Sequence, residues 1–260
     1  MKLYQITFSP TGGTENVASA LASAWEMPAA RINLLKKQEE EYRIYLSPED
    51  VCIVAVPAYG GRVPAAAAVN LKRLKGNGAR AIPVAVFGNR KIDDTLAELQ
   101  DLLEESGFVC IAGVEAAAEH SLVRQFGKGR PDAADRAELK NFAAKIKSML
   151  EDEKAWKESA QALKLPGNRP YREAGGAASV PIVTDTCVEC GLCSRECPVE
   201  AIAADDPKKT DKERCMLCMH CEAVCPMNAR MLPKEMVDGL RQRLKDACEG
   251  RKENRLYLET

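Results

Sequence analysis

Most of the 11 cysteines of this chain fall between Cys187 and Cys225, in two runs of identical spacing. The first run is Cys187-Val188-Glu189-Cys190-Gly191-Leu192-Cys193-Ser194-Arg195-Glu196-Cys197-Pro198. The second is Cys215-Met216-Leu217-Cys218-Met219-His220-Cys221-Glu222-Ala223-Val224-Cys225-Pro226. Both read C-x2-C-x2-C-x3-C-P, a pattern in which three close thiolates wrap one cubane and the fourth reaches across to another. The spacing predicts two [4Fe-4S] clusters and hence electron transfer. Cluster I is expected on Cys187, Cys190, Cys193 and Cys225, and cluster II on Cys215, Cys218, Cys221 and Cys197. Three thiolates must converge on one cube face while backbone N–H groups point at the sulfurs. Proline after each fourth cysteine supplies no N–H and turns the chain away. The small or apolar neighbours Val188, Gly191, Leu192, Ala201, Ile202, Met216, Leu217 and Val224 are placed to exclude water, which tunes potential. Paired C-x2-C steps also build zinc sites. A third cysteine at the same spacing followed by Cys-Pro, twice over, favours iron–sulfur. His220 is read as a neighbour of cluster II, and Cys52, Cys110 and Cys248 as ordinary thiols.

Composition sets the frame for these runs. The chain has 260 residues, 46% hydrophobic and 29% charged, with a formal net charge of −1. That length can bury one large or two smaller cores. A near-neutral balance gives no support for nucleic-acid binding, which leaves a basic footprint. The opening MKLYQITFSP carries a short apolar run broken at Ser9 and Pro10, too short for a signal sequence. No segment approaches the roughly 20 apolar residues that span a bilayer. A cytoplasmic protein with no membrane segment is expected, where dense cysteines mean metal rather than disulfides.

The elements that must position this chemistry alternate between strand and helix up to about residue 150. Strand signals run over Lys2 to Phe8, Ala30 to Leu34, Val51 to Val56, Arg80 to Phe87 and Phe108 to Glu115. Helical spacing covers Thr14 to Trp25, Pro64 to Lys75, Asp94 to Ser106 and Asp132 to about Lys154. The apolar runs VCIVAV and RAIPVAVF suit strands buried on both faces. Five strands with intervening helices predict a doubly wound parallel α/β sheet, in which ligands bind beyond the carboxyl ends of the strands.

Three loops stand at that end. Ser9-Pro10-Thr11-Gly12-Gly13-Thr14-Glu15-Asn16, between the first strand and the first helix, offers hydroxyls and glycine N–H groups as an anion cradle without any Lys or Arg. It is neither G-x-G-x-x-G nor a P-loop; a plain helix cap explains one hydroxyl but not three. Pro57-Ala58-Tyr59-Gly60-Gly61-Arg62-Val63-Pro64 follows the third strand, with Tyr59 able to stack on a planar ring. Gly88-Asn89-Arg90-Lys91-Ile92-Asp93-Asp94 follows the fourth, its backbone able to contact the edge of such a ring. Together they are expected to form three walls of one pocket.

The first loop is similar to the flavodoxin phosphate loop, T/S-x-T-G-x-T, which holds the FMN phosphate. The chain as a whole resembles the flavodoxin–ferredoxin fusions sometimes called EFR-type ferredoxins, found mostly in anaerobic bacteria. The resemblance is carried by SPTGGT, PAYGGRVP, FGNRKIDD, AEHS with GRPDAAD between Glu119 and Asp135, GNRPY at Gly167, and the paired cysteine runs. It implies a flavodoxin-like five-stranded parallel sheet followed by a small α+β bacterial dicluster ferredoxin domain. It also implies FMN against Ser9, Thr11, Gly12, Gly13, Thr14, Ala58, Tyr59, Gly60, Gly88, Asn89 and Arg90. Relatives commonly place an aromatic residue in the third loop, where the candidate here is Ile92. Arg62 and Arg90 near the ring would stabilise anionic reduced flavin by Coulomb attraction; alternatively they are solvated loop charges.

The expected domains are 1–154 flavodoxin-like, 155–180 linker, 181–232 ferredoxin and 233–260 a C-terminal helix. Linker signals are Pro166-Gly167-Asn168-Arg169-Pro170 and Gly175-Gly176. Ala177 to Val183 is expected to begin the ferredoxin with a short strand, and residues 234–250 to form a charged amphipathic helix. The leading functional expectation is an electron carrier, not a substrate-converting enzyme, passing electrons between FMN, two [4Fe-4S] clusters and redox partner proteins. The alternatives are a flavin-dependent reductase of a small substrate and a ferredoxin with a flavin-free docking domain.

Overall fold

A computed structural model of the chain describes residues 1–36, 42, 44–175 and 179–258. Its main sheet is built from β1 (Leu3–Thr7), β2 (Ala29–Asn33), β3 (Val51–Pro57), β4 (Arg80–Phe87) and a fifth strand in two pieces, β5 (Val109–Cys110) and β6 (Gly113–Ala117). These are all parallel, in the order β2-β1-β3-β4, with β5 and β6 end to end along the far edge of β4. That is the 2-1-3-4-5 order of the flavodoxin-like doubly wound fold, with its switch point between β1 and β3.

The period of two in β3 divides the core. Cys52, Val54 and Val56 face one layer with Leu71, Leu99 and Leu103, while Val51, Ile53 and Ala55 face the other with Val17, Leu21 and Leu139. The helices behind those layers are α1 (Gly13–Ala22), α2 (Ala65–Leu71), α3 (Thr95–Glu105) and α4 (Ala133–Leu150). One strand was expected over Phe108 to Glu115, yet it breaks opposite Ile82 and Pro83, neither of which pairs on that side. Pro83 has no N–H to give a fifth strand, so the ladder skips it.

Two other expectations differ from the structure. The single helix over Asp132 to about Lys154 is two, because Asp152 caps a second one, α5 (Glu153–Ala162), through Lys154 N and Ala155 N. Helix therefore continues into residues expected to be linker. The chain then runs along α3, where Asp94 accepts from the backbone N–H groups of Asn168 and Arg172. Expectations that fall on Gly176, Ala177 and Ala178 lie outside the described residues.

The cysteine module is small. It contains the antiparallel pair β7 (Ile182–Val183) and β8 (Arg230–Met231), with the one-turn helices α6 (Leu192–Arg195) and α7 (His220–Ala223). The last helix, α8, covers only Lys234–Leu244. Instead of helix to residue 250, the chain returns to the main sheet as β9 (Arg255–Tyr257), antiparallel to β6. The five parallel strands thus gain an antiparallel edge strand from the far end of the chain.

Candidate functional site: two cysteine pockets beside a cavity

The two cysteine runs fold as a repeat offset by 28 positions. Left-handed backbone recurs at Glu189 and Leu217, at Gly191 and Met219, and at Glu200 and Asn228. Ala201 N donates to Cys197 Sγ and Ala229 N to Cys225 Sγ, each at 3.3 Å. Non-glycine residues rarely adopt positive φ. Here they turn the backbone so that N–H groups face sulfur, as cluster loops require.

The sulfurs gather into two pockets. One is lined by Cys187, Cys190 and Cys193 together with Cys225 from the second run. The other is lined by Cys215, Cys218 and Cys221 together with Cys197 from the first. Among the described residues, no three His, Cys, Asp or Glu groups close on a single-ion site. Burial pushes the Cys218 thiol up to about 12 and the Cys221 thiol up to about 11. Neither ionises at neutral pH unless a bound metal charge stabilises the thiolate. His220 faces neither pocket; its Nδ1 lies 2.8 Å from the Pro10 carbonyl of the first loop.

A cavity of about 830 Å³ opens over the carboxyl ends of β1 and β3. It collects Thr11, Gly13 and Thr14 from the first loop, Ala58, Tyr59 and Gly60 from the second, and Gly88 and Arg90 from the third. The N–H groups of Gly13 and Thr14 lie in the first turn of α1 and have no helical acceptor. Glu15, which would repel an anion there, turns away to accept from Gln5 and Thr7 at 2.6 Å each. Ser9 does not line the cavity: its Oγ accepts from Glu15 N at 2.9 Å. Gly12 is also off the wall, at φ +87 as the cap of α1.

The second loop is a tight hairpin. Tyr59 and Arg62 exchange backbone hydrogen bonds of 3.0 and 3.1 Å around Gly60 and Gly61, both at positive φ. Such a turn needs two left-handed residues, hence the glycine pair. It holds the Tyr59 ring on the cavity wall with its hydroxyl donating to the Cys218 carbonyl at 3.4 Å. Burial pushes this phenol well above its ordinary pKa.

Three readings of these loops need correction. Ile92 is 5% exposed and packs in the core, so it offers no face to the cavity. The Asn89 side chain points away too, donating to the carbonyls of Cys248 and Gly250 at 2.7 and 2.8 Å. Arg62 and Arg90 both line the cavity, but neither is a solvated or unopposed charge. Arg62 forms a bidentate pair with Glu98, both contacts 2.7 Å, while Glu98 also accepts from Val63 N. Arg90 pairs with Asp93.

Walls from distant segments carry no local sequence signal. His120 and Ser121 come from the loop after β6, and Leu240 and Leu244 from α8. His120 Nδ1 accepts from Leu122 N and Val123 N at 3.1 and 3.2 Å, which leaves its proton on Nε2. Burial, with help from Arg90, pushes its pKa down to about 4, so it is neutral at pH 7. Met216 and Leu217, recognised in the sequence only as cluster shields, also line this cavity. The module is therefore docked on the mouth, held as well by Arg124–Glu222 at 3.0 Å.

Residues 186–229 match the 4Fe-4S dicluster domain family. The C-terminal module is a dicluster ferredoxin domain. A curated relative, ferredoxin Fdx2 of Sorangium cellulosum (strain So ce56), is 35% identical over 63 residues. That match takes in 22% of this chain and 62% of the relative, so the chain spans under two thirds of the ferredoxin's length. Among solved structures, a flavodoxin from the domain Archaea covers 58% of this chain over its full length, at 12% identity and TM-score 0.40. Flavodoxin 2 from Bacillus cereus covers 57% over 99% of its own length, at 13% and 0.41. The flavodoxin-like assignment of the N-terminal sheet rests on its strand order. The chain joins that sheet to the dicluster ferredoxin domain. No described helix is long and apolar enough to cross a membrane.

Proposed function

We propose that this chain is an electron carrier in which FMN, held by the flavodoxin-like domain, exchanges electrons with the two [4Fe-4S] clusters and, through them, with redox partner proteins. One observation carries the reading: the cavity at the β1/β3 switch point is walled by Thr11, Gly13 and Thr14 of the first loop on one side and by Met216 and Leu217 of the second cysteine run on the other. Its volume lies within the range of small-molecule sites. In the proposed arrangement Thr11, Gly13 and Thr14 bind the phosphate, and Tyr59 supplies a ring face. Gly88 lets the third loop approach, because a Cβ there would stand 2.7 Å from His120. Cys187, Cys190, Cys193 and Cys225 hold cluster I, and Cys215, Cys218, Cys221 and Cys197 hold cluster II. When bound, FMN supplies two-electron chemistry that the clusters divide into single electrons.

Anaerobic purification followed by iron and flavin analysis tests this. About eight irons per chain with equimolar FMN is the expected result. Riboflavin should bind roughly a hundredfold more weakly, from losing two charge-assisted hydrogen bonds of about 1.5 kcal/mol each. Iron without flavin leaves a ferredoxin with a docking domain, and turnover of a hydride donor without a partner makes the protein a reductase.

The arginine pairing sets a second expectation. Because Glu98 cancels the Arg62 charge, Glu98→Gln exposes a net positive charge beside the cavity and raises the flavin midpoint potential. Arg62→Ala leaves the carboxylate and lowers it. Potentiometric titration of both variants checks the signs; equal potentials would show that the pair does not sense the ring.

A further inference from the structure

The two halves of the cysteine repeat are alike in backbone and unlike in surroundings. Val188 and Glu189 in the first run occupy the places of Met216 and Leu217 in the second, with φ of +54 at Glu189 and +53 at Leu217. Val188 is 62% exposed, Cys190 is exposed, and Glu189 reaches out to Lys208 at 2.6 Å. Their counterparts turn inward: Met216 and Leu217 line both the cofactor cavity and the Cys215–Cys218–Cys221–Cys197 pocket, and Cys218 is buried. A single dipeptide thus forms the partition between cavity and cluster II. Across it the Tyr59 hydroxyl bonds the carbonyl of Cys218 itself. The pocket of cluster I has no lining residue in common with the cavity.

We infer that Met216, Leu217 and Tyr59 make cluster II the sole electron relay to the cavity, while cluster I, at the exposed end, is where a one-electron partner exchanges. This rests on the cofactor and ligand assignment proposed above. The route is a series. With a one-electron iron–sulfur or flavin carrier protein as donor, each pass oxidises the donor and reduces cluster I. Cluster I is reoxidised as cluster II is reduced, and cluster II is reoxidised by the flavin. Two passes leave FMN reduced by two electrons with two protons taken from solvent, and the reverse series returns both. Leu217, held at positive φ, is a positioning residue: it sets the partition and does not itself carry charge.

The test uses the full chain, loaded with both clusters and depleted of flavin, to which FMN is added. Binding is followed by flavin fluorescence and the dithionite-reduced clusters by EPR. One cluster signal should shift on FMN binding, and it should be the signal lost in Cys218→Ser and kept in Cys190→Ser. Leu217→Asn, which tolerates positive φ, should move that same signal while iron content and FMN binding persist; it keeps the test sound if a cysteine variant fails to fold. FMN that binds yet shifts the Cys190-dependent signal, or neither signal, overturns the relay. Absence of fluorescence change overturns the flavin assignment and the relay with it.

Discussion

Cys225→Ser is expected to cost the protein cluster I, cutting iron from about eight to about four per chain, although Cys225 lies in the second run. It lines the pocket of Cys187, Cys190 and Cys193, whereas Cys218 and Cys221 of its own run line the other. The loss should be more than chemical. The module buries few apolar side chains, chiefly Ala201, Ile202, Met219, Ala229 and Leu232, and its one strand pair has two residues a side. So small a core cannot hold a fold alone, and ligation free energy becomes folding free energy. In the proposed crossed ligation Cys225 and Cys197 are the only cluster bonds between the halves, so their loss should loosen the module further than that of Cys190. EPR of reduced single variants decides the pairing. Cys225→Ser and Cys190→Ser should lack the same signal, and Cys197→Ser and Cys218→Ser the other. A shared loss between Cys225→Ser and Cys218→Ser would sink the crossed scheme.

What could be read from the sequence was what is local. Thiolate spacing around a cube is fixed within a dozen residues, so the cysteine runs declare themselves. The same holds for the first loop, whose glycines and hydroxyls meet a helix N-terminus within six positions, and for apolar runs such as VCIVAV. Residues decided by distant partners were not legible. Ile92 reads as a loop residue and is core, because the third loop folds back onto β4 and α3. Arg62 reads as a free charge because Glu98 lies 36 positions away. Nothing near Arg255 announces a strand: three residues pair with β6 across 140 to 144 positions, as Gly113 with Tyr257 to Glu115 with Arg255. The cavity is legible only from one side, since its far wall belongs to the other domain.

That far wall bears on how the domains work together. The ferredoxin domain is tethered at both ends: before it, the segment through Asn168 and Arg172 is pinned to Asp94, and after it, β9 joins the main sheet. Burial would raise the Asp94 pKa, but it is held below the ordinary carboxylate value, first by the Arg172 N–H and then by Asn168. With the His220 contact on Pro10, these attachments set Met216 and Leu217 at the cavity.

The second large effect is expected at the latch that fastens the returning chain. Arg130 and Asp135 are 5% and 1% exposed and form a bidentate pair at 2.9 and 2.5 Å. Asp135 also completes the capping box of α4 with Asp132 and accepts from Arg251 and Asn254 in the C-terminal segment, at 2.8 and 3.1 Å. Arg130 donates to the Lys252 carbonyl at 2.7 Å. Asp135→Ala would strand a buried guanidinium and lower stability by about 3–5 kcal/mol, on the order of 10 °C in Tm. Replacing both partners, as Arg130→Met with Asp135→Leu, should recover much of that, since the penalty is the unpaired charge and not the missing bridge. Acid should mimic the single variant. Burial alone would raise the Asp135 pKa, but Arg130, the Asp132 N–H and Asn254 together hold it below 3.8. The stabilisation is therefore complete above that value and fades as pH falls through the lower folded one. Thermal unfolding of the variants at neutral pH and of the parent through the acid range, with limited proteolysis of residues 245–258, reads these effects. A Tm within a degree or two of the parent would show that the latch does not hold the tail, and the docked geometry would then have to rest on the ferredoxin contacts alone.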